Sequence, residues 1–478
     1  MPDASGLHGP LADMSVADLG HGYRAGLFTP VDALEAAFAR IEAFEPAVNA
    51  FVHLDHATSR AMAEASAQRF RDTAALGPLD GIPTSVKDLT PVAGLPSRRG
   101  SAALLADPPA PDDASCVARL RAAGAVFVGK TATPESGSRI VTRSAVHGVT
   151  RNPYLPDRTP GGSSGGAAAA LALGMGTLAT GTDGAGSIRI PAAFCNLTGL
   201  KPGFGRVPAY PSSHFAPHSV TGPMARRIAD LIALTAVMAE PDPRDAFAWP
   251  VPFAIEAATA PIAGLRVALS PDLGTGRAPE PDIVAALSRV AEALSDAGAI
   301  VEVASPDWPV PPKEPFDVFW DTSYAGFLDL YPPEQASKMD PLIADIAARG
   351  RKIDILQFHK AINARLAITA TAHGFLTRFD AVLCPSVIGA AFDIDTEAPP
   401  GERSDDWAWC PYSYIFNMTG QPAIAVPAGF DKVGAPLGIQ IAARAGREEV
   451  LLRLGAAVER SLDLVGRRPS ILQASFEN

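Results

Sequence analysis

From Thr159 to Thr182 the chain reads TPGGSSGGAAAALALGMGTLATGT and carries no charged side chain. A stretch of that length without charge has to be buried in protein or sit in lipid. A membrane span needs ~20 strongly apolar residues. This one is glycine, alanine, serine and threonine more than leucine or isoleucine, which argues against lipid. A flexible linker is polar and stays exposed, whereas AAAALALG needs cover. The pattern therefore predicts a buried helix from Ser164 to about Gly174, then a buried strand from about Thr177 to Thr182. Such a helix carries the chain about 15 Å, and a strand returns a similar distance. The cluster TPGGSSGG and the following GTDGAGS then lie side by side. They share the end where helix N-termini meet strand C-termini, which is where α/β folds place their sites.

The rest of the chain fits an α/β layered fold. Candidate strands are IPTSVKDL, AVFVGK, LRVALS, AIVEVAS, DAVLCPS, AIAVPAGF and LGIQIAA. They alternate with the helical stretches DDASCVARLRAAG, PDIVAALSRVAEALSDAG and REEVLLRLGAAVERSL. The N-terminal part reads as helices: Ser15 with Asp18, and Thr29-Pro30 with Asp32, are capping starts. A third helix is expected from about Asp55 to Thr73. Of the 478 residues, 47% are apolar and 19% charged, below the usual ~25%, so a deep core is expected. One segment is different. Prolines and aromatics crowd together over about 305–350, which reads either as an irregular surface excursion or as a cap lining a substrate entrance. No fixed-period repeat is present.

Charge excludes some function classes. The formal net charge is −11 and no Lys/Arg run exceeds two residues, against the basic stripe a nucleic-acid binder shows. The same balance argues against an anionic membrane surface. Cys116, Cys195, Cys384 and Cys410 are scattered and form no CxxC, so neither a zinc knuckle nor a redox motif is indicated. No metal or organic cofactor is expected. The opening MPDASGLHGPLADMS shows no secretory pattern, which makes the cytoplasm the expected compartment.

The Gly/Ser clusters fit some chemistries and not others. A Walker loop fails, because no lysine lies between Arg158 and Lys201. Gly161-Gly162-Ser163-Ser164-Gly165 matches GxSxG, but a nucleophile elbow must follow a strand, and the three prolines of NPYLPDRTP do not make one. At the second cluster, Gly184-Ala185-Gly186-Ser187 opens a short helix, SIRIPAAF. Small residues there let the backbone approach a ligand, and free N–H groups can hold an oxyanion. Ser187 thus sits where a nucleophile with an oxyanion hole would sit. The usual base is histidine, and His218 follows the cluster. Lys87, inside the apolar GIPTSVKDL, is the alternative if burial lowers its pKa. The plainer reading of Lys87 is a surface lysine paired with Asp88.

Three pieces together, GIPTSVKDL around Lys87, TPGGSSGG around Ser163 and GTDGAGSIRIPAAFCNLTGLKP around Ser187, resemble the amidase signature family. GPMARRIAD and FNMTGQPAIAVPAGF resemble family segments more loosely. The resemblance implies one domain over 1–478, a mixed central sheet with helices on both faces. Its parts are a helical region (1–75), a catalytic core (80–230), a possible substrate-lining cap (about 305–375) and a C-terminal part of the core (376–478). It implies a triad of nucleophile Ser187, bridging Ser163 after a cis peptide from Gly162, and neutral base Lys87. It implies an oxyanion hole from the backbone of Gly184, Ala185, Gly186 and Ser187, with Ser164, Asp183 and Arg189 in support. Gly137 matches a position on the leaving-group side, and Cys195 reads as a small buried residue. This chain departs from the family at Gly184 and Ala185, where many members have threonine and glycine.

The activity so implied is hydrolysis of an amide C–N bond through an acyl-enzyme, with carbamates and esters as close variants. The partner is then a small-molecule amide or carbamate, and the protein a monomer or homodimer. Aryl amides are favoured if Trp308, Phe316, Phe319, Trp320, Tyr324, Trp407 and Trp409 supply an apolar pocket. Two alternatives stand beside it. One is the glutamine-hydrolysing subunit of a tRNA-dependent amidotransferase; the other is a non-enzymatic member that keeps the fold for binding.

Overall fold

Ser15 opens the first helix, Val16–Ala25, with a reciprocal bond to Asp18, and Thr29 does the same with Asp32 ahead of Pro30–Val48. Asp55 caps the third, His56–Arg71. A computed structural model describes residues 11–403 and 407–474 of the chain. Most of the N-terminal segment that lacks a secretory pattern, residues 1–10, falls outside that range.

The strands are β1 (Phe51–Leu54), β2 (Pro83–Lys87), β3 (Val126–Thr131), β4 (Arg143–Ser144), β5 (Gly148–Val149), β6 (Leu178–Asp183), β7 (Thr198–Lys201), β8 (Val220–Ala225), β9 (Arg266–Leu269), β10 (Ile300–Val303), β11 (Ala381–Pro385), β12 (Ala423–Phe430) and β13 (Pro436–Ala443). β4 and β5 pair only with each other. The others form one sheet in the order β1-β3-β2-β6-β8-β7-β12-β13-β11-β9-β10. It is mixed: β2 runs parallel to β3 and β6, while β6 and β8, and β12 and β13, are antiparallel. This is the expected α/β class.

Both faces of the sheet are covered, as alternation along β12 demonstrates. Ile424 and Val426 join the core that holds Leu231, Leu287 and Leu454 of the helices Ile228–Met238, Pro281–Asp296 and Glu448–Leu462. Ala425, facing the other way, joins Ala168, Leu171 and Ala192 of the helices Gly165–Leu173 and Arg189–Phe194. Side chains alternate across a strand, so the unbroken burial of Ala423 to Val426 needs a helix layer on each side.

The chargeless stretch forms a buried helix, Gly165–Leu173, and then β6. The helix begins against backbone: a methyl at Gly166 would lie 2.5 Å from Ala132 N and 2.6 Å from Ala50 O. Only glycine permits that approach. Among the described residues no helix is long and apolar enough to cross a membrane.

The segment after residue 305 corrects the reading of an irregular excursion. It is helical: Lys313–Leu328, Pro333–Ala336, Pro341–Gly350 and Ile355–Phe375. Phe316, Phe319, Trp320, Tyr324 and Phe327 of the first of these are buried in a second hydrophobic cluster beside the sheet.

Candidate active site

Lys87 is the last residue of β2, and Thr182 and Asp183 close the parallel neighbour β6. Parallel pairing puts these C-terminal ends at one edge. The helix Gly165–Leu173 runs back over the sheet, so its N-terminus, with Ser163 and Ser164, comes to the same edge. The two Gly/Ser clusters touch there: Ser164 N–H donates to Ser187 O at 3.1 Å. The peptide bond between Gly162 and Ser163 is cis.

Lys87 is fully buried. Its Nζ lies 2.7 Å from Ser163 Oγ, 2.9 Å from Ser164 Oγ and 2.8 Å from Thr182 Oγ1. Three hydroxyls and no carboxylate surround it. Burial holds its pKa well below the ordinary lysine range, and the more distant Asp183 opposes this only in part. The surface pair with Asp88 is not formed. Asp88 instead pairs with Lys130 at 3.2 Å, both buried, and accepts Arg99 N–H at 2.8 Å. Ser164 heads its helix without capping it. Its hydroxyl serves Lys87 and the backbone of Thr182.

Ser163, Gly137, Thr182, Gly184 and Ser187 line one cavity of about 450 Å³. Gly137 has φ 74°, and a methyl there would lie 3.3 Å from Ser163 Oγ. Ala185 lies outside the left-handed region, so its methyl is accommodated, and it is buried in the aromatic cluster rather than lining the cavity. Gly184 leaves room for Phe215, whose ring a side chain there would meet at 3.0 Å.

Asp183 holds the loop between β6 and the next helix. One carboxylate oxygen accepts Gly186 N–H at 2.7 Å and the other Ile188 N–H at 3.2 Å. Arg189 grips both oxygens at 2.9 and 3.0 Å, with both side chains wholly out of solvent. Its guanidinium overcomes the desolvation and holds the Asp183 carboxyl below the ordinary range. Arg189 also donates to Ser413 O, Gln440 Oε1 and Asn417 Oδ1. Asn417 Nδ2 returns to Asp183 O at 2.8 Å. Lys201 completes this buried charge network, and burial pushes its pKa down to about 7.

Other candidates fall elsewhere. His218 is packed between Phe215 and Phe319, pushed down to about 3 by burial. It takes no part in the contacts around Lys87. Cys195 is fully buried, its Sγ 3.8 Å from Pro160 O. Of the seven aromatics named from sequence, Trp320 and Tyr324 line the cavity. Tyr210, Phe215, Phe327 and Tyr331 join them. Phe316 instead stacks on Tyr414 with centroids 4.5 Å apart.

Sequence reasoning missed Thr182, Asn417 and Gln440. Asn417 lies in the quoted FNMTGQPAIAVPAGF. Gln440 is the one polar side chain in LGIQIAA, a signal that a buried partner awaits it.

Residues 32–452 match the model of the Amidase family. The acylamidase of Rhodococcus erythropolis is 35% identical over 469 residues, covering 96% of this chain and 97% of that protein. A glutamyl-tRNA(Gln) amidotransferase subunit of Chloroflexus aurantiacus is 34% identical over 481 residues, covering 94% and 96%. The crystal structure of a bacterial aryl acylamidase of the amidase signature family superposes with a TM-score of 0.90 at 26% identity, covering 97% and 99%. With 96% of its length matched in sequence and 97% in fold, this chain belongs to the amidase signature family.

Proposed function

We propose that this protein is a serine amidohydrolase that cleaves the C–N bond of linear amides, preferably aryl or other apolar ones, through an acyl-enzyme. Carbamates and esters are close variants of the same reaction. The observation that carries the reading is the buried Lys87 Nζ at 2.7 Å from Ser163 Oγ, in a cavity that Ser163 and Ser187 share. A neutral amine has two N–H donors and one lone pair. Ser164 and Thr182 hydroxyls accept the two donors, which leaves the lone pair for the Ser163 O–H.

In this reading Lys87 takes the Ser163 proton while Ser163 takes that of Ser187, and Ser187 Oγ attacks the carbonyl carbon. The oxyanion is held by backbone N–H groups. Gly186 is already committed to Asp183, so the proposed hole narrows to Gly184, Ala185 and Ser187, whose N–H groups make no hydrogen bond among the described residues. The proton then passes back through Ser163 to the departing amine as the C–N bond breaks. Water deacylates Ser187 by the same relay. Ser164, Asp183 and Arg189 position these loops.

The amidotransferase alternative has a relative of that name in its favour. Against it, none of the described cavity-lining residues is acidic, so the α-ammonium of glutamine would meet no countercharge. The test is labelling with a serine-directed fluorophosphonate followed by peptide mapping. Label is expected on Ser187 and lost in Lys87→Ala. Label on another serine of the folded protein counts against the triad.

A further inference from the structure

The cavity is lined by hydroxyls, aromatic rings and one cation. Among the described lining residues, Arg99 alone carries a formal charge at neutral pH, His214 being pushed down to about 4 by burial. The Arg99 guanidinium has no hydrogen bond or ion pair with any described residue. Its charge is felt at Tyr331 and at His214, both on the cavity wall. Arg99 has φ 52°, a left-handed backbone that arginine seldom adopts. Asp88 fixes that turn through the Arg99 N–H at 2.8 Å, and Ser136 N–H donates to Arg99 O at 2.8 Å.

Ser136 brings a second, independent feature. It is 5% exposed, lines the same cavity, and its hydroxyl has no partner among the described residues. It precedes Gly137, where an added Cβ would lie 3.3 Å from Ser163 Oγ. The backbone of Arg99 is thereby joined through Ser136 and Gly137 to the edge that holds Ser163, and Arg99 and Ser163 line one cavity. A planar guanidinium with an idle fork, in a cavity that also holds the unpartnered Ser136 hydroxyl, is suited to a carboxylate.

Resting on the amidohydrolase reading, we infer that Arg99 is a specificity residue that selects amides bearing a carboxylate near the scissile bond, with the Ser136 hydroxyl as a second donor. The apolar walls then hold the body of the substrate, and Arg99 holds its anion.

Binding tests this without turnover. 4-Acetamidobenzoate, N-phenylsuccinamate and neutral acetanilide are titrated by calorimetry into Ser187→Ala and into Ser187→Ala/Arg99→Met. At least one anion is expected to bind Ser187→Ala about tenfold or more tighter than acetanilide, and Arg99→Met to remove that preference. Which anion gains tells whether the carboxylate rides on the amine side or the acyl side. Equal affinities, no binding of either anion, or a preference that survives Arg99→Met overturns the inference. Turnover by the unmodified protein separates the two claims. Hydrolysis without a carboxylate preference sinks the inference alone, and a carboxylate preference in binding without hydrolysis sinks the amidohydrolase reading alone.

Discussion

Lys87 ends β2 with its ammonium out of solvent and no carboxylate in contact, so the charged form is the costly one. A cation whose pKa is depressed in the fold loses its proton as pH rises through the lowered value. The proposed base is therefore active above that value, and kcat/KM is expected to rise with pH to a neutral or alkaline plateau. A profile that falls steadily from about pH 5.5 upward contradicts a lysine base. Lys87→Ala should lower kcat by about a hundred- to ten-thousandfold. Lys87→Arg should be equally impaired, because a guanidinium does not give up its proton. Two arginines provide a contrast in stability. Arg189 pairs with Asp183 at zero exposure, whereas Arg60 pairs with Glu35 with both half exposed. Urea unfolding should show Arg189→Met less stable by about 3–5 kcal/mol, and the midpoint of Arg60→Ala little changed, because solvent screens an exposed pair.

The helix Lys313–Leu328 joins packing to selectivity. Trp320 touches Phe215 and Tyr324 and lines the cavity, and Tyr324 donates its hydroxyl to Ser136 O at 3.1 Å. Deleting the segment would open the core. The cleaner test is Trp320→Ala, expected to cut the kcat/KM ratio of aryl over short aliphatic amides about tenfold and stability by about 3–5 kcal/mol. An unchanged ratio would remove Trp320 from the binding surface. The prolines hid this region from a reading of the sequence. Pro333 and Pro341 occupy first-turn positions of their helices, and Asp340 caps the second. There proline starts a helix, because the N–H it lacks has no partner in the first turn anyway. The N-terminal helices were legible for the converse reason: Ser15, Thr29 and Asp55 make local bonds that need no tertiary partner.

At the scale of the molecule, the proposed chemistry needs nothing beyond this chain and water. The purified protein alone should hydrolyse an anilide, keep that activity in EDTA, and act poorly on free glutamine. Loss of activity on chelation, or glutamine as the preferred substrate, would count against the mechanism or in favour of the amidotransferase alternative. Much of the architecture follows from chain-local rules. Strand and helix periodicity, the capping residues and the chargeless, glycine-rich stretch are enough to predict an α/β fold with Ser163, Ser164 and Ser187 gathered at one edge. That is possible because periodicity and burial depend on neighbours a few residues away. What only the tertiary structure decided are the pairings over long separations. Asp88 is taken by Lys130, which leaves Lys87 to three hydroxyls. Arg189 is held by Gln440 of a strand and Asn417 of a short helix, both far along the chain. Arg99 is left without a counterion in the cavity. Such partners depend on which strands the sheet brings side by side, and no local pattern encodes that order.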